Sequence, residues 1–299
     1  MHRVFPVDKY HVRRYAFLHM NTVKLPAEKL TVKIIALDLD DTLLTNELKI
    51  TPRTVTALQK AAGKGIYIVL CSGRAENAIL PYVRQLNIAG FQAGRYLIAI
   101  NGAEVFDLHT RLPIMTRKLG ADVLHFVYEE AQKRGLPAQV YDASTIYASE
   151  DNKWTRVDAQ LCGLRLEIVK DFSAFIEAGH PKMVVPADPA DVEKFTPFLK
   201  EKLKGRAEVF ISKPFFLEIM PPDCGKGEAV LWLADRLGIP QSQTMAFGDS
   251  MNDESMIRKT AYGVAMCNGL EYIRNAAGFV TRRNNNEDGI ADFLEDFVL

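Results

Sequence analysis

Three carboxylates follow an apolar segment near the start of the sequence. In "IIALDLDDTLL", residues 34–44, Asp38, Asp40 and Asp41 come at the end of a run that is typical of a buried strand. Burying such like charges without partners would cost several kcal/mol each, because they lose hydration and repel one another. The pattern therefore indicates either a solvated loop or a bound cation among the carboxylates.

A second acidic cluster, far along the chain, favours the cation. In "FGDSMNDESMI", residues 247–257, Asp249 ends another apolar run and Asp253 stands at the start of the helix that follows. Capping of that helix would explain Asp253 alone, because carboxylates are stabilised at helix N-termini. Two acidic strand ends at one sheet edge would instead supply the hard oxygen ligands that Mg²⁺ prefers. We therefore expect a magnesium site.

Residues that could bind an anion lie between the two acidic clusters in the sequence. In "VLCSGR", Ser72 offers a hydroxyl and Gly73 an exposed backbone N–H at the start of a helix, which is a small anion site. Lys226 in "CGKGEAVLWL" would ordinarily be a solvated surface lysine. It lies just before the strand that carries Asp249, however, and could reach the acidic edge. A metal, a lysine, a hydroxyl and helix-terminal N–H groups together stabilise a transferring phosphoryl group.

The elements that must position these residues alternate along the chain. Continuous apolar runs such as "VKIIALDL" and "IYIVLCSG" are separated by helix patterns such as "TPRTVTALQKAAGKG". Strands that are apolar throughout indicate a parallel sheet with helices on both faces. Ligands bind beyond the carboxyl ends of such strands, where Asp38, Ser72 and Asn101 all fall. We therefore expect the polar residues to meet at one edge.

A change of pattern divides the chain into domains. From 107 to 212 the strands are shorter and more mixed, with helical stretches among them, which indicates an inserted α+β domain. The predicted fold is α/β, with a Rossmann-like parallel-sheet core formed by residues 31–106 and 213–299. The basic, weakly periodic segment 1–30 reads as an N-terminal extension that is poorly ordered.

The amino-acid composition limits the classes of partner that the protein is expected to bind. The 299 residues carry 37 basic and 37 acidic side chains, so bulk charge does not favour nucleic acid or a membrane surface. No apolar stretch approaches the length of about 20 residues needed to span a bilayer. The four cysteines form no CxxC pair, which is typical of a reducing compartment without structural zinc. We expect a cytoplasmic protein, a monomer or small homo-oligomer, that acts on a small molecule.

The ordered motifs "DLDDT", "SGR", Lys226 and "GDSMND" resemble the four motifs of the haloacid dehalogenase-like hydrolases. The insertion resembles the large α/β cap of the Cof-type phosphatase branch, as do "NGAEVF" and "LEIMP…GKG". The resemblance covers about residues 31 to 299. It implies a Mg²⁺-dependent phosphatase, a phosphoric monoester hydrolase, that acts on small phosphorylated metabolites such as sugar phosphates.

The resemblance also implies a role for each matching residue. Asp38 would be the nucleophile that forms an aspartyl-phosphate, and Asp40 the general acid and then base. Mg²⁺ would bind Asp38, the backbone carbonyl of Asp40, and Asp249, while Asp253 would orient the ligands or the lysine. The phosphoryl oxygens would be held by a further set, namely Ser72, Gly73, Arg74, Lys226 and Asn252.

Other functions remain open to different degrees. A P-loop is excluded because "GKGEAV" has glycine after the lysine, and "AGKGIYIVL" lacks the third glycine of a dinucleotide fingerprint. A receiver-type signalling domain would be shorter and uncapped. A sugar phosphomutase of the same superfamily and a non-catalytic sugar-phosphate sensor both stay possible. Tyr141, Lys182 and Glu218 are candidates for substrate specificity on topological grounds, although surface or cap-core roles are the more ordinary explanation.

Overall fold

The structure, a computed structural model, describes residues 24–299. Most of the predicted extension, residues 1–23, lies outside the described residues. Its last part is held on the core rather than poorly ordered. Leu25 and Leu30 pack against the largest apolar cluster, and the Leu30 amide donates to the Phe297 carbonyl at 2.7 Å. Apolar contacts and a backbone hydrogen bond therefore fix the chain before the first strand.

Residues 24–299 form fourteen strands and ten α-helices. The strands are β1 Ile34–Asp38, β2 Tyr67–Cys71, β3 Tyr96–Ala99, β4 Glu104–Asp107, β5 Leu112–Thr116, β6 Gln139–Tyr141, β7 Thr145–Ala148, β8 Arg165–Ile168, β9 Met183–Pro186, β10 Glu208–Lys213, β11 Phe216–Met220, β12 Thr244–Gly248, β13 Tyr262–Ala265 and β14 Phe279–Val280. The helices are α1 Pro52–Gly63, α2 Glu76–Leu86, α3 Ala121–Gln132, α4 Lys153–Cys162, α5 Phe172–Ile176, α6 Pro189–Lys202, α7 Lys226–Arg236, α8 Glu254–Lys259, α9 Glu271–Ala276 and α10 Gly289–Phe297.

The core domain is built on an eight-stranded sheet in the order β14-β13-β12-β1-β2-β3-β4-β5. The six strands from β14 to β3 run parallel, which confirms the predicted α/β core. Strands β4 and β5 add an antiparallel edge, because short connections can join only antiparallel neighbours. Helices α1, α2 and α10 pack on one face of the sheet, and α7 and α8 on the other. Strand β1 is therefore buried on both sides.

The cap domain is a six-stranded sheet in the order β10-β11-β9-β6-β7-β8. Apolar residues on one face of this sheet pack against α3, α5 and α6. The limits of the cap domain, as its sheet defines them, differ from the expected limits of 107 and 212. Strand β5 belongs to the core sheet, whereas β11, which ends at Met220, pairs with β9 and β10 in the cap. The mixed sequence of β5 resembled the cap strands, and the mostly apolar sequence of β11 resembled the core strands.

Among the helices of residues 24–299, none is long and apolar enough to cross a membrane.

Candidate active site

A buried lysine joins two carboxylates at the centre of the core sheet edge. Asp38 is the last residue of β1 and Lys226 the first of α7. The Lys226 ammonium donates to Oδ1 of Asp38 and, at 2.7 Å, to Oδ1 of Asp253. The Lys226 side chain has no exposed surface. A lysine this deep is held by paired charge, because removing it from water unpaired would cost several kcal/mol.

The same charges determine the protonation state of the lysine. Burial by itself lowers the pKa of Lys226, but Asp253 and Asp38 outweigh burial and hold that pKa above its usual range. The ammonium is therefore charged at all physiological pH values. It neutralises part of the acidic cluster and can offset negative charge that develops beside Asp38.

Asp249 lies beside this trio and is connected to it through Asp253. Oδ2 of Asp253 accepts the backbone N–H groups of Asp249 at 2.9 Å and Ser250 at 3.0 Å. Both oxygens of Asp253 are thus used within the protein, as suits an orienting residue. Asp249 accepts one hydrogen bond, from the Thr42 hydroxyl to Oδ1 at 2.7 Å. Its second oxygen takes no hydrogen bond from residues 24–299.

The donor set fits a divalent cation. One carboxylate oxygen each from Asp38, Asp249 and Asp253 lies within 4.8 Å of the others, and all three residues are buried. Burial, together with the charge of Asp253, raises the pKa of Asp249 to about 7. Burial and Asp253 likewise raise the pKa of Asp38, although Lys226 opposes the rise. Three carboxylates against one ammonium leave an excess of negative charge that a cation would balance.

The turn after β1 carries Asp40 and is fixed from the far end of the chain. Asp41 has a left-handed backbone with φ of 59°, a conformation that Asp and Asn tolerate better than most residues. Its carbonyl accepts the side-chain amide of Asn268 at 2.7 Å. The amide of the buried Asn285 donates to the Leu44 carbonyl at 2.8 Å. Two asparagines from the C-terminal loops therefore hold this turn.

Arg74 pairs with Asp40 across the site. Its Nε lies 3.1 Å from Oδ2 and its Nη2 2.5 Å from Oδ1, a bidentate geometry that fixes the carboxylate plane. The guanidinium carbon also lies 5.7 Å from the centre of the Tyr82 ring. The Asp40 side chain remains half exposed. In this structure Arg74 therefore orients the predicted acid, whereas the sequence motif suggested contact with phosphate.

The loop after β2 lies next to β1. Cys71 is in register with Asp38, so the buried Ser72 follows directly beside the nucleophile candidate. A Cβ atom on Gly73 would lie only 3.0 Å from Oδ1 of Asn101, so glycine permits this close approach. That Asn101 oxygen accepts the Asn252 side-chain amide at 3.1 Å. Asn101 thus lies between Gly73 and Asn252, two of the predicted phosphate-binding residues from distant parts of the chain.

Sequence reasoning missed three residues of this site. Thr42 and Asn268 were not singled out, and Asn101 was noted only as a strand end. Thr42 could have been found from "DLDDT", because it falls on the same turn as the carboxylates. Asn268 gave no local signal, since its partner Asp41 is 227 positions away.

Comparisons with known proteins agree with this geometry. A family model described as haloacid dehalogenase-like hydrolase matches residues 35–294. The Bacillus subtilis protein YxeH is 32% identical over 269 residues, which cover 89% of this chain and 98% of that protein. The 5-amino-6-(5-phospho-D-ribitylamino)uracil phosphatase YcsE of Bacillus subtilis is 28% identical, covering 91% of this chain and 98% of that protein.

A solved structure extends the match to three dimensions. A haloacid dehalogenase-like hydrolase from Bacteroides thetaiotaomicron superimposes with a TM-score of 0.80 at 29% identity, covering 88% of this chain and 98% of that one. The core-and-cap fold and the matched range agree with the family resemblance of the sequence. The chain belongs to the haloacid dehalogenase-like hydrolases.

Proposed function

We propose that this protein is a Mg²⁺-dependent phosphatase that hydrolyses small phosphorylated metabolites through an aspartyl-phosphate on Asp38. The observation that carries the proposal is the contact of the Lys226 ammonium with both Asp38 and Asp253, beside Asp249. A nucleophile, a fixed cation and a further carboxylate thereby occupy one buried edge of the sheet. These are parts that phosphoryl transfer requires.

The phosphatase activity itself rests on relatives as well as on geometry. YcsE is named as a phosphatase, and the chain covers nearly all of its length. The prediction of a phosphoric monoester hydrolase is confirmed at this level. The YcsE substrate, as named, carries a phosphorylated ribityl chain, which supports a small hydroxyl-bearing ester as the kind of substrate for the present protein.

The proposed mechanism follows from the positions of the side chains. The oxygen of Asp38 that is not bonded to Lys226 attacks the phosphorus atom, and the bond to the leaving oxygen breaks as Asp40 donates a proton to it. Lys226, Ser72 and the backbone at Gly73 hold the phosphoryl oxygens. Asp40 then takes a proton from water, which attacks the aspartyl-phosphate and releases inorganic phosphate.

A cation completes the charge balance. We propose that Asp38, the carbonyl of Asp40, and Asp249 hold Mg²⁺, while Asp253 keeps Asp249 and Lys226 in place. When bound, the ion supplies positive charge to the phosphoryl oxygens and keeps Asp38 ionised. Oxygen-only donors and the negative charge of the cluster favour Mg²⁺ over softer metals.

Phosphate release from a panel of phosphorylated metabolites tests the proposal. Wild-type protein should release phosphate with Mg²⁺ and not after exchange into EDTA, and Asp38→Asn should reduce release below detection. Asp41→Asn is the matched control, because it makes the same chemical change three positions away at an exposed, left-handed residue that Asn tolerates.

The outcomes separate the competing functions. Metal-dependent release that is lost only in Asp38→Asn supports the phosphatase. Binding of phosphorylated compounds without release, in a folded wild-type protein, would instead favour a sensor or a phosphomutase. Full activity in EDTA would contradict the metal assignment.

A further inference from the structure

One face of the cap sheet, opposite α3, α5 and α6, carries polar side chains beside α4, whose Asp158 accepts hydrogen bonds from Gln139 and Tyr141. Neighbouring residues of a strand point to opposite faces, and Val140, Met183 and Leu217 point to the face that α3, α5 and α6 cover. The residues between them point the other way. In the register of β6, β9 and β11, that other face carries a set of buried polar side chains, namely Gln139, Tyr141, Lys182 and Glu218.

This polar face reaches the phosphate loop of the core. Nζ of Lys182 lies 3.5 Å from the carbonyl oxygen of Gly73. Gly73 stands between Ser72 of the phosphate site and Arg74, which holds Asp40. A cap side chain that reaches this loop lies on the side of the site where the leaving group of a phosphate ester must sit, next to the general acid.

Lys182 and Glu218 are paired, but their hydrogen-bonding capacity is not used up. Nζ of Lys182 lies 3.4 Å from Oε2 of Glu218 and 4.4 Å from the centre of the Tyr141 ring. Oε2 of Glu218 is buried and accepts no hydrogen bond from residues 24–299. That oxygen has the Lys182 ammonium at 3.4 Å but no aligned hydrogen-bond donor, so it can accept a hydrogen bond from a ligand.

The surrounding acidic groups keep the ammonium of Lys182 charged. Burial alone lowers the pKa of Lys182, but Glu218 and Asp158 more than compensate and keep that pKa above its ordinary value. The cap thus presents an ammonium donor and a carboxylate acceptor side by side. A hydroxyl group is both an acceptor and a donor, so one hydroxyl, or two adjacent ones, can satisfy both partners.

We propose that Lys182 and Glu218 form a recognition pair that selects phosphate esters whose leaving group carries hydroxyls close to the phosphate, as in polyols and sugars. The pair rests on the proposed phosphatase function and gives it a substrate class. Lys182 donates to a hydroxyl oxygen and Glu218 accepts a hydroxyl proton. An alkyl leaving group would desolvate the pair without replacing those bonds, and is rejected for that reason.

Two esters of equal chain length test the recognition pair. Ribitol 5-phosphate carries hydroxyls along its five-carbon chain, whereas n-pentyl phosphate carries none. The experiment measures kcat and KM for both esters with Mg²⁺. Wild-type protein should prefer ribitol 5-phosphate by at least about 100-fold in kcat/KM, because a site built for hydroxyls rejects analogues that lack them.

The variant removes both charges together. Lys182→Met with Glu218→Gln keeps the side-chain volumes and removes the ammonium and its carboxylate partner together, while Asp158 keeps its hydrogen bonds from Gln139 and Tyr141, so the domain should fold. We expect the preference for ribitol 5-phosphate to fall at least about tenfold, mainly through its KM. Glu218→Gln alone, which retains the lysine, should lower the preference by a smaller factor and serves if the double variant is unstable.

A matched control lies on the same domain. Lys202 and Glu201, at the end of α6, form an exposed pair at the same 3.4 Å distance. Lys202→Met with Glu201→Gln should leave the preference unchanged. An equal loss for both esters in the Lys182 and Glu218 variants would assign the pair a purely structural role and overturn the inference. An unchanged preference would overturn it as well.

Failure of the proposed function gives a different result. Wild-type protein that releases phosphate from neither ester, nor from p-nitrophenyl phosphate, would overturn the phosphatase and the recognition pair with it. Release from p-nitrophenyl phosphate and equal rates on the two esters would retain the phosphatase and reject only the recognition pair.

Discussion

Two buried lysines, one in the core and one in the cap, are paired in different ways. Lys226 contacts two carboxylates, one of them at 2.7 Å, and has no exposed side-chain surface. Lys182 has one carboxylate partner at 3.4 Å and leaves an oxygen of that partner without a hydrogen bond. Close pairing on both sides suits a fixed part of the chemistry. The looser pair in the cap keeps capacity for a ligand.

Replacing each lysine by methionine gives the largest contrast. Lys226→Met leaves Asp38 and Asp253 buried without their shared partner, so the free energy of unfolding should fall by about 3–5 kcal/mol. Phosphate release should fall at least about 100-fold, because a preorganised cation is lost from the phosphoryl site. Urea unfolding measures the loss of stability. Phosphate release, measured under conditions in which the variant is folded, measures the loss of activity. Equal losses in Lys226→Met and Lys182→Met would remove the distinction between the lysines.

Arg74 offers an intermediate test, because it holds Asp40 by two hydrogen bonds at the rim of the core site. Arg74→Lys keeps the charge but loses the bidentate geometry. We expect kcat to fall about tenfold, since a misaligned acid transfers its proton less efficiently. Arg84→Lys, on the exposed side of α2, is the control and should have no effect on kcat. An unchanged kcat in Arg74→Lys would show that Asp40 does not need this partner.

Metal binding should depend on pH through the core cluster. Burial, with the charge of Asp253, raises the pKa of Asp249 to about 7, and a metal ion needs the carboxylate form. The Kd for Mg²⁺ should therefore rise about tenfold between pH 8 and pH 6, as one proton competes for the site. Calorimetric titration at the two pH values measures this shift directly.

The stability of the metal-free protein should also depend on pH, because the pKa of Asp249 differs between the folded and the unfolded chain. Folded protein keeps the Asp249 proton up to about pH 7, whereas the unfolded chain loses it near the ordinary value of 3.8. The protonated Asp249 therefore contributes to the stability of the folded state below pH 4, and this contribution is lost as pH rises to about 7. Asp249→Asn should raise the Tm of metal-free protein at pH 8, and Mg²⁺ should raise the Tm of wild type only. A lower Tm in Asp249→Asn would contradict the raised pKa.

The smallest effect is expected at Asn268, which reaches the active-site turn without contacting the reacting groups. Asn268→Ala removes the hydrogen bond to the Asp41 carbonyl and the weaker one that its Oδ1 accepts from the Asn285 backbone N–H at 3.3 Å, so stability should fall by about 1–2 kcal/mol. We expect kcat to fall only a few-fold, with KM little changed, because the turn is still held by Asn285. Thermal unfolding and steady-state kinetics check this expectation. A loss as large as that of Lys226→Met would make Asn268 part of the chemistry.

Much of the fold followed from local patterns. Apolar strands alternating with helices predicted the core sheet, and Pro52 at the start of α1 is where the helix signal placed it. Helices α4 and α5 and strand β8 were not predicted, because α4 is polar overall, α5 is only five residues long and β8 is mostly exposed. The cap boundaries were displaced because the pattern of a strand does not reveal which sheet it joins.

The sequence by itself determined which groups are present and in which order. Apolar runs that end in Asp38, Ser72 and Asp249 must deliver their polar ends to one edge if the strands are parallel, so the candidate site could be predicted from chain order alone. Spacing along the chain is enough for such an inference, because strand direction and side-chain alternation are local properties.

Only the tertiary structure decided which partners those groups have. Lys226 could have been a surface residue, Arg74 could have faced phosphate, and the polar side of the cap sheet could have faced water. Their partners Asp38, Asp40 and Gly73 come from distant parts of the chain. Burial and charge pairing between such segments depend on how helices and sheets pack together. No local pattern contains that information, and here it separates the lysine held by two carboxylates in the core from the lysine held by one carboxylate in the cap.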